Sequence, residues 1–276
     1  MKKLVLSALT AALVSLSAFA YDSTNFTPEG KFSSYTKTEY AVTSKFGEFY
    51  RSVVSKDVYV FDATGLKLET STYNAKDELL GKIQYKYDTS RNLSSETYTD
   101  SNANVIWTTK IEYQNDGSIK QDSEYDGSGN LLSRIIYKYN ANKITENYYN
   151  GDGLLLTRRI KTVNENNKPL EIIQYFGDGS LCLRQEFSYL ENSKISSVEE
   201  YDEHNNIREK TLYKYDANGN LAEVQIYNAT NNLIKRNSYK NDSKGNPTRI
   251  TFYDVAEKFG TTTNELQSIT EFAYKQ

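Results

Sequence analysis

Apolar and aromatic positions recur along most of the chain at a spacing near 26 residues. Six copies begin with an aliphatic residue that is followed six and eight residues later by aromatic or apolar residues, as in Leu79, Tyr85 and Tyr87, and two degraded copies, from Leu155 and Leu233, keep only one of the two later residues. The first residues of the eight copies are separated by 26, 26, 26, 24, 26, 26 and 26 positions; they are Val53, Leu79, Val105, Leu131, Leu155, Leu181, Ile207 and Leu233. A regular series of this kind predicts a tandem structural repeat.

A second, shorter apolar element lies between successive copies and ends in tyrosine, as from Leu93 to Tyr98. Clusters of Gly, Asn and Asp, such as residues 126–130, separate the two elements. Alternating apolar and polar residues predict β-strands, and short turns make neighbouring strands antiparallel. The pattern predicts an all-β fold in which about eight two-strand units form one long twisted or curling sheet.

Alternation also assigns the two faces of the long strands. In the copy that begins at Leu131, the side chains of Ile135, Tyr137 and Tyr139 share one face, which we expect to be packed, whereas Arg134 and Lys138 share the other. The long strands carry sixteen basic and four acidic residues, and the short strands carry nine acidic and three basic residues. If long and short strands alternate, opposite charges face each other and contribute roughly 0.2–1 kcal/mol per pair. The charges therefore favour long-to-short pairing.

Both ends of the chain depart from the repeat and divide it into four segments. Residues 1–20 have the basic start, apolar run and small-residue end of a signal peptide, with cleavage expected after Ala20. Residues 21–52 are expected to form an N-terminal cap, residues 53–258 the repeat domain, and residues 259–276 a capping strand, because repeat arrays protect their open ends. The chain is therefore expected in the periplasm, at the cell surface or in the medium.

Three strings, YKYDTSRNL at 85–93, EYDGSGNLL at 124–132 and YKYDANGNLAEV at 213–224, resemble YD repeats. These are the tyrosine-aspartate repeats of bacterial Rhs proteins and teneurins. The resemblance implies antiparallel strands that spiral into a hollow shell with a surface or encapsulating role and no enzymatic activity. Because the chain has no room for the other regions of those proteins, a curved sheet is expected in place of a sealed shell.

Residues that support catalysis or metal binding are scarce. His204 is the only histidine and Cys182 the only cysteine, so neither a nucleophile with a histidine base nor a zinc site is predicted, and the chain is expected not to be an enzyme. Oxygen-rich turns such as 126–130 are similar to fragments of calcium loops but lack a closing acidic residue. No cofactor is expected, and a net charge of -3 gives no basic surface for nucleic acid.

The aromatic rows have two interpretations, either as the core face of the sheet or as a surface that stacks on sugar rings or binds protein. Under the second interpretation the candidate ligand contacts are Trp107, Tyr137, Tyr139, Tyr213 and Tyr215.

The main prediction for function is an exported, non-enzymatic binding or adhesion protein whose partner is a protein or glycan at the envelope or host surface. A periplasmic scaffold or assembly protein is one alternative. An outer-membrane β-barrel is another, although the charged face of the long strands favours a protein that is not integral to the membrane.

Overall fold

The computed structural model describes residues 28–258 and 260–276, so the expected signal peptide lies outside the described residues. The described chain forms 18 β-strands. They are β1 (Ser34–Lys45), β2 (Glu48–Phe61), β3 (Lys67–Asn74), β4 (Leu79–Tyr87), β5 (Leu93–Asp100), β6 (Val105–Tyr113), β7 (Ile119–Asp126), β8 (Leu131–Asn140), β9 (Lys143–Asn150), β10 (Leu155–Val163), β11 (Pro169–Phe176), β12 (Leu181–Tyr189), β13 (Ile195–Tyr201), β14 (Ile207–Tyr215), β15 (Leu221–Asn228), β16 (Leu233–Asn241), β17 (Pro247–Lys258) and β18 (Thr261–Lys275).

The strands form a closed barrel. Each strand pairs antiparallel with the next strand in the chain, and β1 pairs with β18 from Ser34–Lys275 to Ala41–Ser268. The prediction of an all-β fold with antiparallel strands is confirmed. The prediction of one long twisted or curling sheet was wrong, because the strands close into a barrel. The segments expected as caps supply β1, the start of β2 and β18, which pair with one another and leave no unpaired edge.

Most turns of the repeat share one geometry that fixes the register of their hairpins. After β14, the carboxylate of Asp216 accepts hydrogen bonds from the backbone N–H groups of Asn218 and Asn220 at 2.9 and 2.8 Å, and Gly219 has a φ of 79°. Asp202 makes the same contacts after β13, where Asn205 takes the left-handed conformation. These turns explain the Asp, Asn and Gly clusters by backbone chemistry alone.

Long and short strands alternate around the repeat, and their charges pair as predicted. Lys82 and Glu69 are 3.1 Å apart and Arg184 and Glu171 2.9 Å apart, on neighbouring long and short strands. Glu199 and Glu223 pair with long-strand cations in the same way. The other five acids of the short strands, however, point to the opposite face; they are Glu96, Asp122, Glu124, Glu146 and Glu200.

The two faces of the sheet differ in burial. Buried apolar side chains concentrate on the face that also carries the aromatic residues of the long strands; examples are Tyr59, Ile172, Phe187, Val198, Tyr213, Val224, Ile226, Ile250 and Phe272. In a closed barrel, side chains converge inside and diverge outside, so we assign this aromatic face to the interior and call it the inner face. The outer face carries the alternating basic and acidic rows.

Tyrosines at the ends of the long strands bind the beginning of the preceding short strand, which is their neighbour in the barrel. The hydroxyl of Tyr189 donates a 2.6 Å hydrogen bond to the carbonyl of Pro169, and Tyr215 donates one of 2.7 Å to Ile195. Tyr87, Tyr113 and Tyr139 make the same bond twenty residues back, at 2.8, 2.8 and 3.0 Å. Each bond satisfies a strand-end carbonyl and holds the two-strand units in register.

Replacing Tyr189 by phenylalanine is expected to lower the free energy of unfolding by about 1 kcal/mol, because the carbonyl of Pro169 loses its partner while the ring remains. Urea unfolding followed by circular dichroism would measure the change. Tyr175→Phe on the outer face, for which no hydroxyl hydrogen bond is seen in the described structure, is the control and should change little. Equal effects of the two variants would contradict the assigned role.

Candidate functional site

A cluster of carboxylates lies on the inner face between β5 and β7. Glu96 on β5 and Glu124 on β7 both pair with Thr109 on β6, and Asp122 lies two residues before Glu124 on the same face. All three side chains are half-buried. We call Glu96, Asp122 and Glu124 the first acidic cluster.

Burial and mutual repulsion make this cluster hard to ionise. Burial, and after it the charges of Glu96 and Glu124, together raise the pKa of Asp122 to about 6. Burial also raises the pKa of Glu96, which the charge of Lys67 partly offsets. The pKa of Glu124 is raised by burial and lowered in part by the hydroxyl of Ser133. Burial is the main cause at all three carboxyls, and repulsion from its two neighbours adds to it at Asp122.

Aromatic rings surround the first acidic cluster on neighbouring strands. Tyr98 and Trp107 stack with ring centroids 5.7 Å apart at 23°. Tyr85 pairs with Glu96, and the charge of Asp122 contributes to a raised pKa of Tyr137, for which burial is the main cause. Rings beside carboxylates form a surface that stacks on flat or cationic groups and accepts hydrogen bonds.

A compensated ion cluster lies next along the barrel. Glu146 is almost completely buried on β9 and contacts Lys161 at 2.5 Å and Arg159 at 3.4 Å, both on β10. Arg159 also donates to the side-chain carbonyl of Gln174 at 3.2 Å. Because two cations share the single carboxylate, the negative charge of Glu146 is fully neutralised and this cluster stabilises the barrel wall.

A second acidic cluster lies on β13 and β14, where Glu200 and Glu209 are directly opposed on the inner face. Burial first and then the charge of Glu200 raise the pKa of Glu209, and Lys235 and Arg208 partly offset this increase. Gln185, only 1% exposed, donates its amide to Glu200 at 3.3 Å, while its own Oε1 is buried without a hydrogen-bond donor. Glu200 also contacts Arg208 at 3.6 Å, so this like-charge pair is partly neutralised, whereas the Oε1 of Gln185 still lacks a donor.

The five aromatic residues predicted as ligand contacts fall into three groups. Trp107 and Tyr137 lie beside the first acidic cluster on the inner face. Tyr139 and Tyr215 are strand-end tyrosines whose hydroxyls bind the backbone. Tyr213 is buried in an apolar core with Phe187 and Val224, although its hydroxyl is buried without a partner. The structure therefore brings only two of the five to the acidic surface.

The remaining candidate residues have local roles. His204 is exposed in a turn, where its backbone N–H donates to Asp202. The thiol of Cys182 accepts a weak contact from Gln174 at 3.9 Å, and burial raises the pKa of the thiol. In residues 28–258 and 260–276 no group of three or more His, Cys, Asp or Glu side chains is arranged for a metal ion. The same part of the chain has no helix long and apolar enough to span a membrane.

Comparison with known proteins identifies no family for this chain, and the solved structures that it resembles are distant. No family model matches the chain, and no curated protein matches it. Among solved structures, a porin-like protein from Bacteroides uniformis is 11% identical with a TM-score of 0.47, covering 90% of this chain and 99% of that one. A LolA superfamily protein from Nitrosomonas europaea is 8% identical with a TM-score of 0.25, covering 89% and 85%.

The complex TcdB2-TccC3-TEV is 12% identical with a TM-score of 0.21, and the match covers 82% of this chain but 16% of that one. These scores are too low to transfer a function, so the function has to be inferred from the residues of this chain.

Proposed function

We propose that this chain is an exported, non-enzymatic barrel of the cell envelope that binds a positively charged ligand in its interior. The observation that carries the proposal is the inner face itself, where Glu96, Asp122, Glu124 and Glu209 have raised pKa values and the buried Oε1 of Gln185 has no donor. Barrels of roughly 16 to 18 strands leave an aqueous channel that side chains do not fill. The interior therefore has both room and charge for a ligand.

The chemistry of the inner face selects a ligand with N–H donors. Carboxylates and an amide oxygen accept hydrogen bonds, and an ammonium or guanidinium group supplies donors and neutralises the repulsion. The chain already places a cation on inner-face tyrosines, because Lys67 lies 4.9 Å from the ring of Tyr85 and 5.6 Å from that of Tyr59. We propose polyamines or basic peptide segments as the ligand class.

An outer-membrane barrel is the second candidate, and closure of all 18 strands into one barrel favours it. Charge on the outer face weighs against it. Lys82, Arg184 and Arg236 lie within the strands, and a basic residue facing lipid at the bilayer midplane costs about 2–4 kcal/mol. Recovery of the native chain in the soluble fraction without detergent would support the water-surrounded barrel, and recovery only in detergent extracts would support the second candidate.

Binding can be measured through Trp107, the only tryptophan, which lies beside the first acidic cluster. Titration with oligolysine should change its fluorescence, whereas oligoglutamate and a neutral oligosaccharide should not. Replacing both Glu96 and Glu124 by glutamine should weaken oligolysine binding by about tenfold or more, because two charges in a low-dielectric site are removed.

Glu112→Gln is the matched control, because Glu112 is an exposed outer-face carboxylate on β6 next to the same cluster. It should leave the affinity unchanged. Equal loss in the control and the double variant, or equal binding of oligoglutamate and oligolysine, would exclude recognition of charge by the inner face.

A further inference from the structure

The hairpin of β1 and β2 projects beyond the rim of the barrel. β2 pairs with β3 only from Ser55 onward, and β1 pairs with β18 only as far as Ala41. Residues 42–45 and 48–51 pair only with each other. The end of this hairpin, residues 45–54, therefore lies outside the strand pairing with β3 and β18, and we call it the tip.

Apolar side chains lie on both faces and at the end of the tip, between the charged side chains of Lys45, Glu48 and Arg51. Phe46 is 104% exposed and Phe49 64%, and Tyr50, Val53 and Val54 are also exposed. The regular pairing from Glu48 to Val53 puts Phe49 and Val53 on one face of the hairpin and Tyr50 on the other, with Phe46 at its end. A partner with a flat surface would cover only one of these faces, whereas a medium that surrounds the tip would cover them all.

The backbone conformation of the turn at the tip favours asparagine, aspartate or glycine over phenylalanine. Phe46 and Gly47 form a two-residue connection with φ angles of 54° and 83°, both in the left-handed region. Asn, Asp and Gly are preferred at both positions of such a turn, and a bulky residue there is strained. The turn therefore gains nothing from Phe46, which places a complete phenyl ring in solvent at the furthest point of the hairpin.

We propose that the tip inserts into the boundary between headgroups and acyl chains of a lipid bilayer and anchors the barrel to a membrane surface. Interfacial segments place aromatic rings about 5–10 Å deep. Glu48, the acidic residue within the tip, has its carboxylate hydrogen-bonded by the hydroxyl of Tyr50 at 2.7 Å. Arg51 forms an ion pair with Glu271 of β18 at 2.8 Å, and this charged pair remains at the level of the lipid headgroups.

Co-sedimentation of the full chain with phosphatidylcholine vesicles tests this anchor. The native chain should bind these uncharged vesicles and stay bound at high salt, because burial of apolar rings drives the contact. Phe46→Asn combined with Phe49→Ser should reduce the partition coefficient about tenfold or more. Phe46→Asn alone should reduce binding while the fold is kept or stabilised, because asparagine suits the left-handed turn.

Leu154→Ser is the matched control, since Leu154 is 64% exposed, as is Phe49, but lies in a turn of the barrel away from the tip. It should leave vesicle binding unchanged. The proposal fails if the native chain does not bind vesicles, if salt releases it, or if the control loses as much binding as the tip variants. Self-association that needs Phe46 and occurs without vesicles would instead identify a second copy as the occupant.

Discussion

Replacing Tyr35 by alanine is expected to lower the free energy of unfolding by about 3–5 kcal/mol, the cost of removing a large buried aromatic side chain. Tyr35 is 1% exposed and lies on β1, where the barrel closes. Its ring stacks on Tyr59 at 4.3 Å and lies 5.7 Å from Tyr274 on β18. One side chain thus joins both neighbours of the closing strand.

Urea unfolding would measure the loss, and two variants separate packing from other effects. Tyr35→Phe keeps the ring and should cost no more than about 1 kcal/mol. Tyr175→Ala removes a half-buried tyrosine from the outer face and should also cost much less than Tyr35→Ala. A similar loss for Tyr35→Ala and Tyr175→Ala would mean that closure does not depend on the aromatic cluster around Tyr35.

Closure of the barrel could not be predicted from the repeat. The repeat specifies how adjacent strands pair, but it does not specify the total curvature of the sheet over all its strands. The period near 26 residues, the Asp-containing turns and the alternation of faces follow from local chemistry, and these features were predicted. The β1–β18 pairing joins residues 242 positions apart at Ser33 and Lys275, outside any repeated motif. Its sequence signal is weak: the Tyr/Phe-rich start was interpreted as a cap.

The acidic clusters were missed because all acids of the short strands were treated as partners of the outer basic rows. Glu199 and Glu200 are adjacent in sequence, yet one pairs with Lys210 outside and the other faces Glu209 inside. The period of two distinguishes them once a reference residue on each strand is assigned to a face. Counting positions back from the final tyrosine of each short strand would not suffice, because register shifts recur there, as between Glu200 and Tyr201.

Replacing Asp122 on the inner face is expected to stabilise the folded barrel. Its pKa is raised from 3.8 to about 6 in the folded barrel, so the ionised form is disfavoured on folding. The contribution of this group is complete below about pH 4 and is lost as pH rises through about 6. Asp122→Asn removes this loss and should raise the free energy of unfolding at pH 7 by roughly 2 kcal/mol.

The pH dependence of that difference is the decisive measurement. Native and Asp122→Asn chains should unfold at the same urea concentration near pH 4 and diverge up to about pH 6, with the variant more stable. Asp116→Asn is a control of opposite sign, because hydrogen bonds from Ser118 lower the pKa of Asp116 and its loss should destabilise the chain at neutral pH. Greater stability together with weaker oligolysine binding in Asp122→Asn would show that the carboxylate is retained for a ligand at a cost to the fold. Greater stability with unchanged binding would restrict the ligand to the Glu200 and Glu209 side of the barrel.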